Sequence, residues 1–486
     1  MTKGMLTLAV LALLALPATG MLAATGLEAS AAKATITPDV HAGTVYMAGF
    51  DNNRVATGVH DELWVRCLAL GTGNSKLALC AADVIGLFYD DVLKVRAQVK
   101  AAMPGVTQVI VASTHDHEGP DTMGLWGPSP LESGINTKYM DWLDGRIAST
   151  ALEALHSMKP ARMKLAADND PLLALLQDDS RPPYVKDPHL YVMQLTAAAG
   201  GAPIATLVNW SDHPETLDSR NTLITADYPH WLCQYVEAHG GGTAVFFNGA
   251  IGGLLSTLGD QVALLDPVTG QVARDGTRRK AELFGSMVGM LALRALGAGE
   301  EAPVDAITVR QAVIYAPLQN DRFRVAGALG VFKGRKPLYT EGKLDTTTVE
   351  RNLPGLGQVK YSTGRDLQTE VDYIQLRGGG RPLAEIAAVP GEIYPELVNG
   401  GITRYPGADF PNAGFEPLLR SHMRSPYPLV FGLANDELGY IIPKAEWDSS
   451  PPWLQLRKKP WYGEVNSAGP DVAGSVTQSL VKLMNQ

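Results

Sequence analysis

Val109-Ile110-Val111-Ala112-Ser113-Thr114-His115-Asp116-His117-Glu118-Gly119-Pro120-Asp121-Thr122 is the stretch on which the reading of the fold turns. Its short β-branched run predicts a buried strand, and polarity changes abruptly before the turn marked by Gly119-Pro120. Residues two apart on an extended segment face the same way, so His115 and His117 can aim both imidazoles into one cavity. Neutral imidazole is the commonest metal ligand and the usual proton carrier near neutral pH. An isolated His-x-His fits a solvated loop equally well, so the rest of the chain has to decide.

Working outward, Glu62–Leu70 and Lys76–Leu87 read as a hairpin about Gly71–Asn74, with its second strand ending near Asp83. Asp90-Asp91 caps a helix to about Ala102 that carries Val92, Val95 and Val99 on one face. Strand, helix, strand is an α/β order. An amphipathic helix over Tyr139–Met158 and strands over His189–Thr196 and Ile204–Val208 follow. The last ends in Asn209-Trp210-Ser211-Asp212-His213-Pro214, a second histidine at a strand terminus. After a helix over Tyr228–His239 the pattern recurs. Val245–Phe247 leads into Asn248-Gly249-Ala250-Ile251-Gly252-Gly253, Ala384–Val389 into Pro390-Gly391-Glu392, and Leu429–Leu433 into Ala434 through Tyr440. Five apolar strands ending in polar turns predict an α/β fold with flanking helices and its site at the strand ends. Residues 321–369 lack this rhythm and read as an insertion or subsidiary lobe.

With 486 residues, 45% hydrophobic content, 50 Gly and 32 Pro, the chain is a turn-rich globular protein with a large core. A net charge of −9 without a notable basic cluster argues against nucleic acid or an anionic membrane surface as the main partner, and membrane contact is not indicated. Lys3, the apolar run Met5–Leu16 and the A-x-A form Ala29-Ser30-Ala31 predict a signal peptide over 1–31, secretion or export to a periplasm, and a mature chain of 32–486. An uncleaved N-terminal anchor is the rival. With three cysteines, disulfides are not the main source of stability; Cys67 and Cys80 are either a cross-strand pair or two buried thiols.

Two strand-end histidines with a strand-end carboxylate are the ingredients of an open catalytic zinc site. Thr114–Pro120, Asn209–Pro214, Val389–Glu392 and Gly432–Tyr440 also resemble, in that order, the signature segments of the neutral/alkaline ceramidase family, over the chain from about Thr35 onward. The resemblance implies that family's catalytic fold with mixed sheets, and one Zn2+ held by His115, His213, Glu392 and Tyr440. It also places His117 beside the metal, Arg181 ahead of Asp187-Pro188 and Tyr462 near the substrate. Glu118 stands where the family commonly has serine, and is a candidate acid/base or specificity residue. The serine of the Gly-rich turn is replaced by Leu255, with Ser256 next to it, and no room remains for the family's C-terminal immunoglobulin-like domain.

These readings lead to a secreted zinc hydrolase that cleaves an amide bond by a metal-activated water, acting on a small-molecule or lipid-like amide other than ceramide. An esterase, lactonase or other hydrolase of a carbohydrate or small metabolite is the alternative, and a non-catalytic periplasmic binding protein is a third. Asp83 and Asp227 either orient a ligand histidine or serve as turn and cap residues. The oligomeric state is unspecified by the sequence.

Overall fold

The expected hairpin forms from Trp64–Thr72 and Ser75–Ala82, with Cys67 directly opposite Cys80 and the two joined in a disulfide. In the computed structural model, which describes residues 26–255 and 263–486, this hairpin lies toward one end of the larger sheet. Helix Tyr89–Ala102 then crosses over and brings Gln108–Ser113 in parallel to Ser75–Ala82, the connection that a parallel pair requires. On the hairpin's other side Leu27–Thr35 runs antiparallel to Trp64–Thr72 through nine consecutive residue pairs. Lys159–Asp168, Leu190–Ala197, Pro203–Trp210 and Thr243–Asn248 continue the sheet in that order, the last pair parallel.

The signal-peptide boundary expected at Ala31 therefore falls inside a paired strand: Leu27 and Ala29 are buried in the sheet. Residues 1–25 of that segment lie outside the described residues. Among the described residues no helix is long and apolar enough to cross a membrane.

A second sheet is built on Ala306–Pro317, Asp366–Gly378, Arg381–Ala388 and Pro428–Phe431, again ending in a parallel pair. Its inner face packs on the first sheet. Leu79, Ile110, Leu207 and Phe247 from one meet Ile374, Leu376, Ile386 and Phe431 from the other, and Phe247 stacks on Phe431 with centroids 4.1 Å apart. Each such side chain contributes roughly 1.5–3 kcal/mol by leaving water. Helices Tyr89–Ala102, Thr137–His156, Asp227–Ala238 and Arg278–Gly297 cover the outer face of the first sheet; Val472–Met484 covers that of the second. The result is a four-layer α/β arrangement with mixed sheets.

Residues 321–369 are less separate than their composition suggests. A short helix, Asp321–Leu329, and an exposed hairpin, Thr348–Leu353 with Gly357–Ser362, precede Asp366, which already belongs to the second sheet.

Candidate metal centre and its cleft

The parallel pairs of both sheets deliver their C-terminal ends to one place, and the backbone ties those ends together before any functional side chain is set. Asn435 N–H donates to Val111 O at 2.7 Å and Gly432 N–H to Asn248 O at 3.0 Å. The Asn248 amide donates to Thr114 O (2.9 Å) and Asp212 O (2.8 Å), clamping the two histidine-bearing loops.

His115 adopts a left-handed backbone, φ 69°, a conformation that costs a non-glycine about 1–3 kcal/mol and persists where surrounding structure over-determines it. Its Nδ1 lies 2.7 Å from Ile85 O. His213 has the same arrangement, Nδ1 at 2.8 Å from Leu254 O in the Gly-rich turn. A ring nitrogen facing a carbonyl carries the proton, so in both imidazoles Nε2 holds the lone pair. These two Nε2 atoms lie 3.4 and 3.0 Å from the same oxygen, Glu392 Oε2, and the Tyr440 hydroxyl is 3.3 Å from His213 Nε2. Glu392 and Tyr440 come together because Glu392–Ile393 and Tyr440–Ile441 form a two-residue parallel ladder in which they are direct partners.

Lone pairs and a carboxylate oxygen facing one another repel unless a proton or cation lies between them. Burial and the neighbouring imidazole hold His213 below the usual histidine range, which disfavours the proton. Burial raises the Glu392 carboxyl, but His115 and His213 outweigh it and hold it below the usual carboxylate range. The donor set therefore fits a divalent cation, and imidazole with carboxylate and phenol oxygens suits zinc.

His117 closes the group: one nitrogen from each of His115, His117 and His213 lies within 4.8 Å of the others, all three buried. Neither ring nitrogen of His117 has a hydrogen-bond partner among the described residues. Phe50 packs edge-on at 5.3 Å, and Gly49, φ 98°, leaves the space the ring needs: a Cβ there would lie 2.5 Å from His117 Cβ. Burial first, then His115, His213 and Arg54, keeps His117 well below the usual range and so neutral. Glu215, two residues after His213, places Oε2 3.6 Å from His117 Nδ1; burial pushes its carboxyl well up. Glu215 carries no signal in the sequence beyond its spacing from His213.

Tyr462 reaches the same site from the far C-terminal region, its ring edge-on to Tyr440 at 5.8 Å. Arg181 and Glu118 do not reach it. Arg181 is buried, donates to Glu446 O and Glu464 Oε1, both at 2.7 Å, and lies over Tyr394. Its backbone N–H, rather than its guanidinium, meets Asp179. Glu118 is buried behind His117, 3.2 Å from Arg54 Nη1 and accepting from Asn221 at 2.8 Å; Arg54 in turn grips the carbonyls of Ala48 and His117. Asp83 accepts from Trp64 N–H and Thr114 and Asp227 from Leu217 N–H and Thr216. Neither carboxylate bonds a histidine in these contacts; backbone carbonyls orient His115 and His213 instead. Leu255 N–H donates to Asp178 O, and Ser256 lies outside the described residues.

The cluster lies at one end of an apolar cleft. Phe88, Met123, Leu125, Trp126, Phe323 and Phe332 make most of its wall, joined by Arg335, Lys336 and Leu367, so residues 321–369 contribute directly to it. Such a lining suits an apolar ligand with a few convergent polar groups.

No protein-family model and no curated protein matches the chain. Solved structures do. The neutral ceramidase from Pseudomonas aeruginosa is 17% identical over 94% of this chain and 74% of its own, with a TM-score of 0.64. A ceramidase complexed with C2 is 16% identical over 94% and 74%, with a TM-score of 0.65. At such identity the likeness is one of architecture, and the mixed sheets and flanking helices of this chain form the neutral ceramidase fold.

Proposed function

We propose that the chain is an exported, zinc-dependent hydrolase that cleaves an amide bond bearing an apolar acyl group. The observation that carries the reading is the convergence of His115 Nε2, His213 Nε2, Glu392 Oε2 and the Tyr440 hydroxyl at the buried end of an apolar cleft. These four would hold the ion, which when bound acidifies water toward a pKa of ~7 and polarises a carbonyl.

The chain's own groups supply the rest. His117, neutral and with its Nδ1 edge turned to Glu215 and Gly49, has Nε2 available to carry a proton to the leaving nitrogen as water adds to the carbonyl carbon and the C–N bond breaks. Tyr462 would donate its phenolic hydrogen to the carbonyl oxygen as charge develops there. The aromatic wall takes the acyl chain and excludes water. Leu255, in the place of the family serine, favours an acyl amide other than ceramide. Arg181 and Glu118 act at one remove, Glu118 by fixing Arg54 beneath His117.

Metal analysis of the purified protein, followed by N-acyl amides of increasing chain length with matched esters, tests the reading. Stoichiometric zinc and chelator-sensitive amide cleavage that improves with chain length are expected. Cleavage of esters alone, or cleavage indifferent to chelation, overturns it.

A further inference from the structure

Residues 450–462 read Ser-Pro-Pro-Trp-Leu-Gln-Leu-Arg-Lys-Lys-Pro-Trp-Tyr, and no acidic residue stands between Asp448 and Glu464 in a chain whose net charge is −9. The base of this segment is held. The Trp453 indole N–H donates to Ser449 O at 3.1 Å, Leu454 N–H to Asp448 Oδ2 at 3.0 Å, and the Arg457 guanidinium lies 3.6 Å from the Trp461 ring centre.

Its tip is pushed outward. Gln455 and Leu456 both have left-handed backbones, φ 58° and 56°, a conformation unfavourable for leucine, and Leu456 is left 97% exposed. Lys458 and Lys459 are exposed beside it, and neither carries an ion pair among the described residues. A single exposed leucine is ordinary. A protruding leucine between half-buried tryptophans, followed at once by two unpaired lysines, has the composition of a segment that enters a lipid interface: apolar and aromatic groups for the acyl boundary, ammonium groups for anionic headgroups.

Position adds the second observation. The segment ends in Tyr462, which is 58% exposed and also lines the cleft. The surface is thus continuous with the apolar wall that leads to His115 and His117.

We propose that residues 450–462 form a docking strap for an anionic lipid surface, seating the cleft mouth on the bilayer so that an acyl amide passes from lipid to site without crossing water. The purpose of the strap rests on the acyl-amide reading above; the binding itself does not, and is measured without hydrolysis.

The test uses the full chain with vesicles of phosphatidylcholine alone and of phosphatidylcholine with phosphatidylserine, followed by flotation. Wild-type protein is expected to float with the anionic vesicles and to be released by high salt. Each lysine is worth about fivefold in affinity for such a surface, so the double variant Lys458→Gln/Lys459→Gln should bind about 25-fold more weakly. Leu456→Ser should weaken binding to both vesicle types. Both variants should cleave a soluble short-chain amide at the wild-type rate, because none of these residues lines the cleft. Absence of wild-type binding to anionic vesicles, or variants that float as well as wild type, overturns the proposal. Binding that is lost in the variants, in a protein that hydrolyses nothing, upholds the strap and sinks the amidase reading instead.

Discussion

Glu215 Oε2 lies 3.6 Å from His117 Nδ1, and both side chains are buried. A carboxyl oxygen at that edge favours the tautomer with the proton on Nδ1 and leaves Nε2 for the substrate. Glu215→Ala is expected to lower kcat by about 10–100-fold, the usual effect of removing a residue that orients a working histidine, with KM and zinc content unchanged. Glu215→Gln, which keeps an oxygen facing Nδ1, should restore most of the loss. Loss of zinc together with activity in Glu215→Ala would make His117 a ligand and not the proton carrier.

His213 has both ring nitrogens committed, to Leu254 O and toward Glu392. His213→Ala is expected to abolish stoichiometric zinc and amide hydrolysis together, with Glu392→Gln doing the same at less structural cost. Metal analysis of the two folded variants decides the matter: zinc retained at the wild-type ratio in either removes that residue from the ligand set.

The strand-end pattern was legible because Val109–Ala112, Ile204–Val208, Ala384–Val389 and Leu429–Leu433 are predominantly apolar runs that stop at polar turns, and their observed strands end within a residue or two of those runs. Leu27–Thr35 was not, since Leu-Glu-Ala-Ser-Ala-Ala-Lys-Ala-Thr has low strand propensity and is held by its neighbours' ladders. Asp366–Gly378 hid for a different reason: Glu370 and Asp372 are buried polar residues satisfied by partners far away in sequence, Arg96 and Gln108. In the site, motifs located Arg181 and Glu118 but carried no information on side-chain direction, which distant acids and Arg54 set. Glu215 offered only its spacing from His213.

Arg181 gives a prediction that separates structure from substrate binding. Removing its guanidinium leaves Glu464 and Glu446 buried without their cation, and breaking a buried pair from one side costs about 3–5 kcal/mol. Arg181→Met is therefore expected to lower thermal stability markedly while the folded fraction keeps wild-type KM. A raised KM at unchanged stability would return Arg181 to the substrate.

Truncation tests the N-terminal strand. Leu27 through Ala31 pair with Thr72 through Leu68, so a chain beginning at Ala32 loses five residues of a central ladder, whereas one beginning at Gly26 keeps the strand entire. The shorter chain is expected to unfold at distinctly lower denaturant concentration. Equal unfolding midpoints would show the strand to be dispensable and restore Ala31 as a workable boundary.

Asp144 sits on the outer helix, away from the cleft, and is buried beside Asp91. Lys94 comes only to 3.4 Å from it, having its closer contact, 2.8 Å, with Asp91. Burial first, then Asp91, pushes the Asp144 carboxyl up to about 7. The folded state thus holds a proton that the unfolded chain releases near 4, so this group's contribution falls as pH rises between roughly 4 and 7 and is fully lost above that window. Asp144→Asn removes the ionised form and should raise Tm by about 2–4 °C at pH 8, with no gain at pH 4. Thermal unfolding of both proteins at the two pH values checks the sign, and a gain that is equal at both would assign the effect to packing and not to charge.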